Sequence, residues 1–205
     1  LLIAIVLGGL YSGLATATEA AALGAFGALI VGKVFGNLNY ASVVEALKKT
    51  ALSTTMIFTV VIGATIFGYF MTLSQGSLMF VNFITGLDVS RWIILIIILI
   101  VFLILGFFMD QVAILLLMVP VLVPVIKALG FDLIWFGILV IKMAEIGLVT
   151  PPVGLNVFVT AAAVNKSVAA AFKGSSVLLI GEFVMVVLLV LFPALSLWLP
   201  GYMLK

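Results

Sequence analysis

Ten residues decide how this chain folds: Leu148-Val-Thr-Pro-Pro-Val-Gly-Leu-Asn-Val157. Apolar sequence flanks them, yet Leu133 to Gly147 and Val153 to Asn165 are each shorter than the roughly 20 residues that cross a bilayer as one helix. Pro151 and Pro152 have no backbone N–H and obstruct the helix upstream, so carbonyls near Ile146 to Leu148 are expected to lose their partners. Gly154 lets the chain turn and approach a neighbour closely. The stretch reads as a helix broken inside the membrane. Non-helical backbone survives at that depth only when buried in protein or lining a wet cavity. Discontinuous helices of this kind point to a transporter binding site.

Composition agrees with a membrane setting. Of the 205 residues 66% are hydrophobic and 8% are charged, and mean hydropathy is +1.54. A soluble domain carries about 25% charged residues, so this chain cannot be coated for water and reads as a multi-pass integral membrane protein. A net charge of +2 gives no reason to expect nucleic acid. Cysteine and histidine are absent, which removes disulfides, thiol catalysis, zinc-finger sites and histidine acid–base chemistry. No Gly-x-Ser-x-Gly, Walker loop or two-aspartate protease pattern occurs, so neither an enzyme nor ATP handling is expected. No signal-peptide pattern opens the chain; it starts inside an apolar run, as though something preceded it.

Working outward from the break, a second interruption lies upstream. Trp92 to Leu105 and Val112 to Leu129 are short apolar segments on either side of Gly106-Phe-Phe-Met-Asp110, and they read as a re-entrant helical hairpin. Pro120 and Pro124 are expected to bend its returning arm. Leu1 to Leu10 and Leu78 to Leu87 are too short to cross; Glu19 to Phe35, Ala51 to Leu73 and Ser176 to Leu199 read as spans. Asn37 to Thr50 reads as an interfacial amphipathic helix, lateral connector or ordinary loop helix. Three regions follow: 1–91 with helices and connector, 92–175 with the hairpin (92–129) and broken helix (133–165), and 176–205 with the last span. Lys33, Lys48, Lys49, Lys166 and Lys173 fall on one side; Arg91, Lys127 and Lys205 fall on the other. The positive-inside bias places the first set in the cytoplasm, so the hairpin enters from the outer face.

The side chains at the breaks suggest the chemistry. Thr150 adds a hydroxyl and Asn156 an amide oxygen to the freed carbonyls, a donor set suited to a hard cation such as Na⁺. The second half-helix starts near Val153 to Asn156, where its positive end is placed to face a carboxylate. A plain proline kink is the alternative. Asp110 is an acid in an apolar region; it either caps the returning helix or lends charge to a cation site. Thr16 or Thr18 caps the helix that carries Glu19 in its first turn. Gly24, Gly27, Ala28 and Gly32 form a small-residue face for close helix packing. Glu145 stands three residues after Lys142, the spacing of an ion pair, with a proton relay as the alternative. Glu182 has no assigned role.

The stretches "GLYSGLATATEAAALGAF", "GFFMDQVAILLLMVPVLVPVIKALGFD", "EIGLVTPPVGLNVFV" and the closing "FKGSSVLLIGEFVMVVLLVLFPALSLWLP" together resemble the large membrane subunit of tripartite ATP-independent periplasmic (TRAP) transporters. The likeness runs over nearly the whole chain. The family's Thr-Pro-Thr-Glu motif has Ala17 in place of the proline, with Thr18 and Glu19 kept. The resemblance implies an all-α fold forming the C-terminal half of an inverted-repeat, elevator-type carrier in a bacterial or archaeal inner membrane. It implies Na⁺-coupled uptake of organic anions, such as C4-dicarboxylates or sialic acid. Partners implied are a small membrane subunit, a periplasmic binding protein, the N-terminal half of the large subunit and membrane lipid. Carried over by motif, Gly106, Met109, Asp110, Thr150, Pro151 and Gly154 frame a Na⁺ site, largely through backbone carbonyls. Thr150, Pro152, Gly154 and Asn156 form a wall of the substrate site, and Thr18 and Glu19 are structural. A non-transporting scaffold or assembly subunit, or a channel, is the competing class; a channel calls for a continuous polar stripe, and the polar residues here are clustered.

Overall fold

The computed structural model describes residues 2–36 and 38–203. Lys205 of the outer charge set and Asn37 at the start of the expected connector lie outside the described residues. Within them every regular element is a helix: α1 (Leu2–Tyr11), α2 (Ala17–Phe35), α3 (Tyr40–Leu73), α4 (Gly76–Thr85), α5 (Arg91–Phe108), α6 (Gln111–Ala128), α7 (Leu133–Val149), α8 (Leu155–Ala163), α9 (Val168–Leu191) and α10 (Ala194–Met203). Five of these, α2, α3, α5, α6 and α9, are long and apolar enough to cross a membrane. The chain divides into two compact units, residues 1–56 with 199–205, and residues 57–198.

In the first unit α1 packs on α2 through the small-residue face. A methyl group on Gly24 would stand 2.9 Å from Val6 Cγ2, and one on Gly27 2.6 Å from Leu2 Cδ2, so both glycines are seats for α1 side chains. Thr16, rather than Thr18, caps α2. Its hydroxyl oxygen accepts the Glu19 N–H at 3.3 Å, while the Glu19 carboxylate accepts the Thr16 N–H at 2.8 Å, a reciprocal capping box.

The second unit is built on α5 and α7. Apolar residues line α5 on every side, and one stripe of it (Leu95, Phe102) is fully buried against α7 and α6. The core joins these to Ile114, Val125 and Ile126 of α6, to Leu139, Val140 and Ala144 of α7, and to Val186 and Leu189 of α9. Asp132 starts α7 by accepting the N–H groups of Ile134 and Trp135 at 2.8 and 3.0 Å. The Trp135 indole N–H then donates to the Leu189 carbonyl at 2.7 Å, a buried tie between α7 and α9.

Two expectations are corrected. The connector expected over Asn37 to Thr50 and the span Ala51 to Leu73 are one helix, α3, of 34 residues, about 51 Å at 1.5 Å per residue. No glycine or proline separates them, so nothing stops the helix; Glu45 and Lys49 on its early turns pair at 2.7 Å. The span expected over Ser176 to Leu199 begins earlier, at Val168, where Ser167 accepts the Ala170 N–H at 3.3 Å. It ends earlier too, at Leu191, because Pro193 drives Phe192 out of helical geometry (φ −125°, ψ 75°). Pro120 and Pro124 lie inside α6, which continues through both.

Candidate functional site

Two interruptions flank the α5–α7 pair. At one end of the pair Trp92 meets Trp135, with ring centroids 6.3 Å apart. At the other end Gly106 meets Gly147. A methyl group on Gly106 would come within 2.7 Å of the Ala144 carbonyl oxygen and 3.0 Å of Gly147 Cα. α5 and α7 therefore run parallel and in close register, backbone against backbone where their chains are about to break. Neither position tolerates a side chain.

Three residues beyond Gly106, Met109 ends α5 with its N–H on the Leu105 carbonyl at 2.9 Å. Three residues beyond Gly147, Thr150 ends α7 with its N–H on the Gly147 carbonyl at 3.1 Å. Two carbonyl ends thus finish side by side. The Thr150 hydroxyl donates to the Ile146 carbonyl at 2.6 Å, so two of the three carbonyls expected to lie free upstream of the prolines, Ile146 and Gly147, are answered by Thr150 itself. The terminal carbonyls of Phe107 and Phe108, and of Leu148 and Val149, carry no hydrogen bond among the described residues. Such paired C-terminal ends carry partial negative charge.

The chain restarts twice at the same level. Asp110 accepts the Val112 N–H at 3.0 Å and so caps α6; its carboxylate is exposed. The neighbouring Gln111 amide donates to the Ile141 carbonyl of α7 at 3.5 Å, a link between distant helices that no local pattern marks. After the cis Pro151–Pro152 bond, Gly154 turns through a left-handed conformation (φ +54°) and opens α8. A methyl group on Gly154 would meet the Phe172 ring of α9 at 2.7 Å. Phe172 also stands edge-on to Phe158 at 5.9 Å, so α9 braces the second half-helix. No side chain caps α8, and its opening N–H groups point into the break. Asn156 is exposed there, and its amide makes no hydrogen bond among the described residues.

Of the residues singled out by sequence, Gly106, Met109 and Asp110 thus lie at one break and Thr150, Pro151, Pro152, Gly154 and Asn156 at the other, both at the same end of the α5–α7 pair. Thr18 and Glu19 belong to the first unit. Among the described residues no three acidic side chains cluster as metal ligands. What the breaks offer a cation is carbonyl oxygen, a hard donor type, with the exposed Asp110 carboxylate at the start of α6.

A charged group lies behind the breaks. Lys142, near the middle of α7, stands 2.9 Å from Glu145 and 2.6 Å from Glu182 of α9. Spacing revealed the first partner; the second comes from α9, 40 residues on, and no local pattern marks it.

The family model of the tripartite ATP-independent periplasmic transporter DctM component matches residues 1–195. The C4-dicarboxylate TRAP transporter large permease protein DctM of Pseudomonas aeruginosa is 35% identical over 204 residues, 99% of this chain and 48% of that protein. The sialic acid TRAP transporter large permease protein SiaM of Vibrio cholerae is 34% identical over 96% of this chain and 46% of its own length. The isethionate TRAP transporter permease protein DctMQ of Oleidesulfovibrio alaskensis is 38% identical over 80% of this chain and 26% of its own. These are names of permeases, not of enzymes. The chain spans about half the length of the large permeases it matches.

Proposed function

The chain belongs to the DctM component family of tripartite ATP-independent periplasmic transporters, and from that premise we propose that it forms half of the transport machinery of a Na⁺-coupled importer of organic anions. The observation that carries the reading is the Gly106–Gly147 crossing, which ends two parallel helices together at two breaks. Na⁺ is held by carbonyls around Gly106, Met109, Thr150, Pro151 and Gly154, with Asp110 supplying charge. The anion lies against Thr150, Pro152, Gly154 and Asn156, facing the opening N–H groups of α8. Two helix C-termini favour the cation and one helix N-terminus favours the anion, so each ligand strengthens the site for the other.

In this reading α5 and α6 form a re-entrant hairpin entering from the outer face of an inner membrane. α7 and α8 are its broken-helix partner, and the unit moves as a body in an elevator motion. The opposite wall comes from a companion half with inverted topology. A small membrane subunit and a periplasmic binding protein complete the system. Relatives are named for C4-dicarboxylate, sialic acid and isethionate, so the substrate here is a small organic anion of this class.

The test is uptake of a labelled organic-acid panel into proteoliposomes that hold this chain with the companion half, small subunit and binding protein, with and without a Na⁺ gradient. Uptake should need Na⁺, and Asn156→Ala and Thr150→Ala should each reduce it at least tenfold. Wild-type uptake indifferent to Na⁺ would remove the coupling, and unchanged uptake in both variants would make the break a structural kink. Absence of uptake of every acid would leave a scaffold role ahead.

A further inference from the structure

A groove in the second unit is walled by α4, α5 and α6. It has a volume of about 330 Å³ and an almost wholly apolar lining that includes Phe83, Leu87, Ile94, Ile98, Val121 and Leu122. On α5 the groove face is the stripe Ile94, Ile98, Val101. One turn nearer the start of α5, on the same stripe, stands Arg91, the only arginine in the chain. From this juxtaposition we infer that the groove is a binding site for an anionic phospholipid, with part of one acyl chain in the groove and the phosphate on Arg91.

Arg91 is held in place but not neutralised. Its guanidinium carbon lies 5.6 Å from the Trp92 ring and 5.2 Å from the Phe131 ring, and one N–H donates to the Leu129 carbonyl at 3.5 Å. A guanidinium has five N–H donors, and among the described residues no carboxylate pairs with Arg91. The other charged groups at this end of the unit are Asp88, Lys127 and Asp132. Asp132 is engaged by the first N–H groups of α7, and Lys127 adds a second positive charge at the end of α6. Trp92, Phe131 and Trp135 form an aromatic cluster beside Arg91. Such clusters sit at headgroup depth, which places the guanidinium where a lipid phosphate lies and the groove where its chain begins.

Both halves of the feature are needed to name the ligand. A water-soluble anion would use Arg91 but gains nothing from an apolar groove, whereas a zwitterionic lipid fills the groove but brings its own cation beside a guanidinium that no carboxylate pairs with among the described residues. An anionic phospholipid uses both.

The experiment extracts the full chain from bacterial membranes in mild detergent, strips bound lipid, and adds back phosphatidylglycerol or phosphatidylcholine of one acyl length. Native mass spectrometry and thermal unfolding read the result. Wild type should retain phosphatidylglycerol severalfold more than phosphatidylcholine and melt higher with it. Arg91→Lys should keep the preference, Arg91→Gln should lose it, and Val101→Trp, which fills the groove, should reduce retention of both lipids. Equal retention of the two lipids by wild type, or a preference that survives Arg91→Gln, overturns the inference. If Arg91→Gln does not fold, retention unchanged in Val101→Trp overturns it instead. Retention of neither lipid also overturns it and gives the groove to protein.

Discussion

Gly106 of α5 and Gly147 of α7 touch through their backbones: a methyl group on Gly147 would stand 2.7 Å from Gly106 Cα and 2.7 Å from the Leu103 carbonyl oxygen. Backbone cannot move aside as a flexible side chain does. Gly106→Ala and Gly147→Ala should therefore each force α5 and α7 apart, at a cost of about 1–3 kcal/mol typical of overpacking. Gly137 on α7 faces open space, so Gly137→Ala is the control and should be neutral or slightly stabilising. Thermal unfolding in detergent checks this, and a Gly147→Ala protein that melts like Gly137→Ala would contradict the close crossing.

Gly154 combines two constraints that substitutions can separate. Its φ of +54° disfavours any side chain, by about 1–2 kcal/mol, and the Phe172 ring occupies the space a Cβ needs. Gly154→Ala should lower stability through both. Adding Phe172→Leu should restore the part due to the clash and leave the part due to the backbone. A double-mutant cycle read by thermal unfolding measures the split; strict additivity of the two substitutions would mean that Phe172 does not seat on Gly154.

The breaks were legible in the sequence because their causes are local. Pro151 and Pro152 lack N–H groups, and Gly154 permits a left-handed turn. Proline does not always stop a helix, however. Pro193 ends α9, whereas Pro120 and Pro124 sit inside α6, where the buried Val121, Leu122, Val125 and Ile126 hold the helix together. The continuity of α3 was missed because its polar first turns suggested a separate element, although helix propensity does not change between Lys49 and Ala51. What the sequence could not show was register. That Gly106 lies on Gly147, that Gln111 reaches Ile141, and that Glu182 reaches Lys142 each depends on how helices distant in sequence align.

The Thr16–Glu19 capping box offers a clean local test. Thr16→Ala removes the acceptor of the Glu19 N–H and the hydroxyl that donates to the Glu19 carboxylate at 2.8 Å, so it should cost about 1 kcal/mol. Thr18, one residue inside α2 and exposed, should tolerate alanine with little change. Helix-end amide exchange would report the difference; equal protection in the two variants would return the cap to the undecided pair read from sequence.

Lys142 holds two carboxylates at once, and it does so near the middle of two apolar helices. Glu145 and Glu182 lie 2.9 and 2.6 Å from its ammonium group, so the cluster carries one net negative charge while keeping each carboxylate beside a cation. Removing Lys142 leaves two uncompensated acids, and a charged side chain at a helix centre costs about 2.5–3.5 kcal/mol on insertion. Lys142→Met should therefore sharply reduce the yield of folded protein, measured by size-exclusion chromatography of membrane extracts. Lys142→Arg keeps the charge and should retain most of the yield. Lys142→Met combined with Glu182→Gln removes one of the stranded acids and should recover part of the loss, because the penalty lies in the unpaired charge rather than in a missing contact. Glu182→Gln alone still leaves Lys142 paired with Glu145 and should be mild. If the double variant yields no more than Lys142→Met, Glu182 is not the acid that Lys142 neutralises, and the tie between α7 and α9 rests on the Trp135–Leu189 hydrogen bond and apolar packing that includes Val186.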